Sequence, residues 1–420
     1  MDCFRELGLT ILDQWQRADF DEAAFPDVAA DALRHCAPSS RVDANKVIQW
    51  VQHQPTLPPQ ADIDAKFGQP PITVFHCERF YIDVLFWIDG TTALHQHAFC
   101  GAFHVMDGSS IQGVYRFNRS HRYSELLWSG TLDLLDVELL VKGDVRPIRP
   151  ADELLHSLFH LDRPSVSVVV RTPGHTTTTV QLSYSRAGLA FDTQTKSPLV
   201  SRRVQVLDLL HATGHPEFES SARESIRRAD SFQAFRLATH LAKRFEKHDA
   251  YVAFLESIRP AHGELLDALI AHAKEERREK YIIARRQRVR QAGLRFFLAL
   301  LLNVPDRSRI LEMTRRAYPD RDPHQTIVGW LGELAKLDSI HAWASAVVKT
   351  HEDGANDRVL DVALDETAMK LMPPLLEGMS DSAAIERAAN GSPMSEASKG
   401  AASTCQALRR SILLRPLFIP

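Results

Sequence analysis

"TTALHQHAFCGAFHVMDGSS" (residues 91–110) is the stretch on which the fold turns. Two histidines stand two apart, after a strand-like run and before a glycine. On a β-strand, side chains at i and i+2 leave from the same face. His95 and His97 can therefore aim two imidazoles at one point. An ordinary strand can carry an H-x-H pair too, so the reading depends on a third ligand and on the neighbouring segments.

Those segments alternate. In "RFYIDVLFWI" (79–88), Phe80, Ile82, Val84, Phe86 and Ile88 share one face, and Arg79, Tyr81, Asp83, Leu85 and Trp87 share the other. Further strands are expected at "AFHVM", "IQGVYRF", "TLDLLDVELLV", "VRPIRP" and "PSVSVVVRT", with turns at "MDGSS", "NRSH", "KGD" and "LDRP". Short strands at this rhythm, with no helices between them, predict an antiparallel sandwich or barrel of jelly-roll type.

On either side the period is helical. Residues 1–55 carry apolar positions at three-to-four spacing, with Asp43 as a cap, and "HQPTLPPQ" (53–60) breaks them. From about residue 201 the period returns to 3.6. Asp230 or Ser231 is placed to cap "DSFQAFRLATHLAKRF", whose stripe is Phe232, Phe235, Leu241 and Phe245. The stretch 378–404 is rich in Ala, Ser and Gly and reads as a linker, and the apolar tail "LRRSILLRPLFIP" is suited to docking back. The expected fold class is α+β: an N-terminal helical segment (1–70), a central barrel (71–200), a C-terminal helical domain (201–377), and a flexible linker with a docked tail (378–420).

Bulk properties exclude several classes. With 420 residues the chain is long for one core. Its net charge of −3 gives no global attraction to nucleic acid or to an anionic membrane. The basic stretch "KEERREKYIIARRQRVR" (274–290) interleaves acids at one end and reads as a solvated, ion-paired helix, so nucleic acid is not expected as a partner. The five cysteines, Cys3, Cys36, Cys77, Cys100 and Cys405, form no CxxC pair and no disulfide framework. The N-terminus does not read as a signal peptide, and the longest apolar run, "FFLALLL" (296–302), is too short to span a bilayer. A cytoplasmic protein with no membrane partner is expected.

A third histidine is at hand. "KGDVRPIRPADELLHSLFHLDRPSVSVVVRTP" (142–173) supplies a glycine turn, a short strand, a proline and then His156. A returning strand can carry that imidazole to the first pair. His160, four residues on, is a candidate donor orienting His156 from behind. The alternative puts "HSLFH" on a helix as a zinc pair. Ser157 stands where a metalloprotease needs its glutamate, which argues against a peptidase.

The two segments together resemble the two cupin motifs. "DGTTALHQHAFCGAFHVMDGS" is similar to the first, with its glycine, H-x-H and a strand ending in glycine. "GDVRPIRPADELLHSLFH" is similar to the second. Within the cupins, "FYIDVLFWIDGTTALHQH" and "HSLFHLDRPSVSVVVRTP" most resemble the cysteine dioxygenase-like thiol dioxygenases. The likeness covers roughly residues 72–185, under a third of the chain. It implies a cupin barrel with His95, His97 and His156 as metal ligands. The fourth-ligand position of cupins falls near Gly101, so no fourth protein ligand is implied. In animal-type cysteine dioxygenases that position is a cysteine crosslinked to a catalytic tyrosine; here the two positions hold Gly101 and Arg171. That departure argues against cysteine itself as substrate.

Three neutral imidazoles suit Fe(II), and other divalent transition metals as well. They leave the ion's charge to be offset by an anionic ligand. Arg171, Tyr81 and Tyr115, with Arg79, are candidates for reading an anionic substrate. Cys100 and His104 are out of phase with the histidine pair; Cys100 reads as a packing cysteine and His104 as a surface or core residue. The expected function is a non-heme iron oxygenase using O2 on a small anionic or thiol-bearing substrate. The alternative is a metal- or ligand-sensing cupin whose helical domain binds a protein or peptide partner.

Overall fold

Four helices open the chain: α1 (Asp2–Arg17), α2 (Phe25–Cys36), α3 (Pro38–Arg41) and α4 (Ala44–His53). Phe4, Leu7, Ile11 and Trp15 form the buried stripe of α1, at the spacing one helix face requires. Asp43 caps α4 by accepting the Asn45 N–H at 2.7 Å. The computed structural model describes residues 1–61, 63, 67–88, 91–178, 180–245, 248–347, 362–389 and 397–420. It is an α+β structure whose described residues form two compact units, Met1–Asp136 with Leu140–Arg277, and Val137–Leu139 with Arg278–Pro420.

Apart from Val137–Leu139 of β6, the first unit carries the strands: β1 (Pro71–His76), β2 (Tyr81–Trp87), β3 (Thr91–His97), β4 (Gly101–Asp107), β5 (Ser109–Ser124), β6 (Leu127–Val141), β7 (Val145–Ile148), β8 (Ala151–His160), β9 (Ser165–Arg171), β10 (Leu182–Ser185) and β11 (Leu189–Asp192). One antiparallel sheet has the order β1-β2-β9-β4-β7; the others close as β10-β11-β6-β5-β8-β3. The sheet is buried on both faces. Ile82, Val84 and Phe86 of β2 join Ala102 and Val168 in a core with α1 and α2. Leu85, Trp87, Phe103 and Val169 turn the other way and form a second core. Each such side chain, fully buried, contributes about 1.5–3 kcal/mol, so the period-two pattern fixes which residues face the helices.

One expected turn is absent. "NRSH" (118–121) lies inside β5, and the chain reverses after Ser124 instead. Its polar side chains serve the pairing with β6: Asn118 donates to Asp133 at 2.7 Å and Ser120 to the Ser129 carbonyl at 3.1 Å. The "KGD" turn is present, with Gly143 at φ +101, a conformation that L side chains rarely adopt.

The helices Pro198–Ala212, Phe218–Arg227, Ser231–Leu241 and His248–Glu256 group with the strands in the first unit. Asp230 caps the third of these through the Gln233 N–H, and Phe235 and Leu241 are buried along it. The second unit is helical. Its helix Ala292–Asn303 is buried over most of its length, and Trp330 packs against Phe296, Phe297 and Tyr318. The basic stretch is not a solvated face throughout: Arg285 and Arg286 are buried, and Arg278 donates to the carbonyls of Leu301 and Leu302. Helices Asp381–Ala388 and Ala397–Arg410 occupy much of the stretch whose composition suggested a linker, because alanine favours the helix more strongly than serine opposes it. Residues 390–396 of that stretch, and Asp89 and Gly90 of the first motif, lie outside the described residues. In the tail, Leu413, Leu414 and Leu417 are fully buried. Among the described residues no helix is long and apolar enough to cross a membrane.

Candidate metal centre

β3 and β8 run antiparallel, and His95 stands directly opposite His156. Two residues further along β3, His97 pairs with Ala151, so β8 carries extra residues between the two pairings. A bulge of this kind re-aims side chains. Here it lets one imidazole of β8 meet both imidazoles of β3. Ring centroids are 4.5 Å apart for His95–His97, 5.0 Å for His95–His156 and 4.8 Å for His97–His156. Each ring offers a nitrogen within 4.8 Å of the others. The Nε2 atoms of His95 and His97 are 3.1 Å apart, close to the spacing of two adjacent ligands whose metal–nitrogen bonds are about 2.1 Å.

The donor set fits a metal ion on three further counts. All three side chains are buried, between 3% and 7% exposed. Burial holds all three below the ordinary imidazole range, well below for His97 and His156, so lone pairs stay available. At His97 the neighbouring His95 and His156, and then Arg171, push the same way. Nδ1 of His95 lies 2.8 Å from the Ala93 carbonyl, which fixes the proton there and turns Nε2 toward the other rings. Nδ1 of His156 is buried with no hydrogen-bond partner among the described residues.

The three histidines open onto a small cavity of about 50 Å³. Its walls are mostly apolar: Leu85, Trp87, Phe99, Phe103, Ile148, Leu158 and Val169, with Phe67 edge-on to Trp87 at 4.9 Å. Polar groups are few. Asp83 accepts the Thr73 hydroxyl at 2.7 Å, and Ser167 accepts the Trp87 indole N–H at 3.2 Å. Arg171 also lines the cavity. It stands opposite Tyr81 on one side and Gly101 on the other. Its guanidinium carbon is 4.4 Å from the Phe99 ring centroid and 5.1 Å from that of Tyr81.

Gly101 explains itself. A Cβ built there would lie 1.9 Å from the Val170 carbonyl oxygen. No glutamate or cysteine fits at that position while β4 and β9 stay paired.

The other candidates go elsewhere. Tyr115 opposes Leu155, next to His156 in β8, so it leaves from the opposite face and packs with Leu94, Leu155 and Tyr184. Its hydroxyl accepts from Arg186 at 3.4 Å. Arg79 lies over the Phe20 ring, at 3.8 Å. His160 is on β8, not on a helix, four residues past His156, which is about 13 Å of strand. Its Nδ1 is 2.8 Å from the Ser165 hydroxyl and its ring stacks on Trp87 at 4.5 Å, so it is not brought to the three imidazoles. Cys100 is fully buried among the helix-facing residues, and burial pushes its thiol up to about 11. His104 is buried and accepts the Ser39 N–H at 3.2 Å. The apolar walls were not singled out by sequence reasoning. Their signal was the face shared with Tyr81 and Asp83.

No protein-family model matches the chain, and no curated protein matches it. Solved structures similar to it include hydroquinone 1,2-dioxygenase from Sphingomonas sp. TTNP3 with 4-hydroxybenzoate bound, at 13% identity and TM-score 0.20, over 26% of this chain and 67% of that one. A second is an uncharacterized conserved protein with a double-stranded β-helix domain from Klebsiella pneumoniae subsp. pneumoniae, at 17% identity and TM-score 0.19, over 33% of this chain and 99% of that one. A third is recombinant oxalate oxidase in complex with glycolate, at 13% identity and TM-score 0.21, over 39% of this chain and 81% of that one. These likenesses leave the family unassigned.

Proposed function

We propose that the chain is a cupin-type metal oxygenase, nearest in kind to the thiol dioxygenases. In this reading His95, His97 and His156 hold Fe(II), and the substrate is a small anionic or thiol-bearing molecule that reacts with O2. The observation that carries it is the meeting of three buried imidazoles on the wall of a largely apolar cavity. When bound, the ion supplies a Lewis-acidic, redox-active centre with positions open to substrate and O2.

The chain's own residues do the rest. Arg171 reads the anionic group of the substrate, since its planar fork matches a carboxylate. Tyr81 and Phe99 flank the guanidinium and hold its orientation. Phe103, Leu85 and Val169 exclude water from the reacting region, which strengthens every charge interaction inside it. Gly101 contributes no side chain of its own beside Arg171.

The test is O2 uptake by iron-loaded protein against a panel of small thiols and carboxylates. Turnover with at least one member, abolished by His97→Ala, is the expected result. Binding of panel members without O2 uptake would point instead to a sensing protein.

A further inference from the structure

The first turn of α1 and the last turn of α2 bring together two cysteines that the proposed oxygenase chemistry does not use. Cys3 and Cys36 are 33 positions apart, and both are buried, at 5% and 9% exposure. Cys36 Sγ donates to the Cys3 carbonyl oxygen at 3.7 Å, and each thiol is the leading influence on the other's ionisation. On its other side Cys36 Sγ receives the Arg41 guanidinium at 3.5 Å. Arg41 is itself held by Glu6 of α1 at 2.6 Å. Of the other cysteines, Cys77 donates to the Phe80 carbonyl and Cys100 lies 3.7 Å from the Thr172 hydroxyl, so among the described residues neither of these two is bonded to a thiol or a guanidinium.

We propose that Cys3 and Cys36 are a peroxide-reactive dithiol, with Cys36 the attacking thiolate, Cys3 the resolving thiol and Arg41 a positioning residue. The asymmetry follows from the contacts. The Cys3 S–H and the Arg41 guanidinium both stabilise a negative charge on Cys36, which is lowered to about 7, with burial and then Glu6 opposing. Cys3 is pushed the other way by donating to Cys36 and by burial, with Arg41 and the N-terminal amine opposing. A thiol that ionises near neutral pH combines a useful thiolate fraction with good nucleophilicity.

The chemistry closes in two steps. The Cys36 thiolate attacks a hydroperoxide: an S–O bond forms, the O–O bond breaks, and an alkoxide or hydroxide leaves and takes up a proton. Sulfur is oxidised by two electrons to the sulfenic acid. Cys3 sulfur then attacks that sulfur: the S–S bond forms, the S–O bond breaks, and the departing hydroxide takes the Cys3 proton as water. The product ties α1 to α2.

The full-length protein, reduced and then treated with one equivalent of hydrogen peroxide, tests this without any variant. Accessible and denatured thiols together should fall from five to three, and tryptic digestion should yield Met1–Arg5 disulfide-linked to His35–Arg41. Cys3→Ser should accumulate a dimedone-trapped sulfenate on Cys36 alone, and Cys36→Ser should lower peroxide reactivity at least tenfold. Arg41→Gln should move the pH midpoint of Cys36 alkylation upward, with Arg41→Lys restoring it. Uniform oxidation of the five cysteines, or absence of the linked pair in wild-type protein, would overturn the proposal.

Discussion

His95 and His156 face each other across the β3–β8 pair, and the extra residues of β8 beyond that pairing allow His97 to join them. The site is therefore a property of the register between two strands. A change that shifts the register should disperse the three imidazoles even with every histidine retained.

Gly101→Ala acts on the other sheet, where β4 pairs with β9. The added Cβ would meet the Val170 carbonyl at 1.9 Å and the Arg171 Cα at 3.0 Å, both backbone atoms that cannot rotate away. Overpacking of this kind costs about 3 kcal/mol. The urea midpoint should fall with an unchanged m-value, and substrate affinity should fall as β9 shifts Arg171. Unchanged stability would show that β4 and β9 are not held as closely as described.

Arg171→Lys keeps the positive charge and loses the fork. KM for an anionic substrate should rise about tenfold, with kcat and metal content little changed. Equal loss in kcat and metal content would assign Arg171 to the integrity of the site and not to the substrate.

His104 gives stability a pH dependence. Burial holds its folded-state value at about 4, against an ordinary value of 6.5. The unfolded chain thus binds a proton at a pH where the folded chain does not. The contribution is full above pH 6.5 and is lost as pH falls toward 4, in total about 3 kcal/mol. His104→Gln retains an acceptor for the Ser39 N–H and cannot titrate. Chemical denaturation from pH 7 to 4 should show a shallower decline for the variant, and parallel curves would contradict this origin.

Much of the site could be read from the sequence, because period two ties phase to face. The shared face of the H-x-H pair follows from alternation; the returning strand with His156 is read from the glycine turn, proline and strand around it, and Arg171 from the position it holds in the resemblance to the thiol dioxygenases. The rest depended on facts that alternation does not encode. Tyr115 was lost because its face is set by its partner on β8, where Leu155 and not His156 lies opposite. His160 shares the phase of His156 but stands too far along the same strand. "NRSH" looked like a turn because polar residues mark both turns and exposed strand. Arg286 sits in a stretch whose composition reads as solvated, yet it is 1% exposed. Which charges are buried is decided by packing across the chain.

The most direct test of the central claim is the metal content of purified protein expressed with iron supplementation, measured beside His95→Ala, His97→Ala and His156→Ala. The account predicts about one equivalent of a divalent transition metal in the wild-type chain, as one three-ligand site requires, and near-complete loss in each variant. Less than about a tenth of an equivalent of any transition metal in the wild-type protein, or full retention in the three variants, would contradict it.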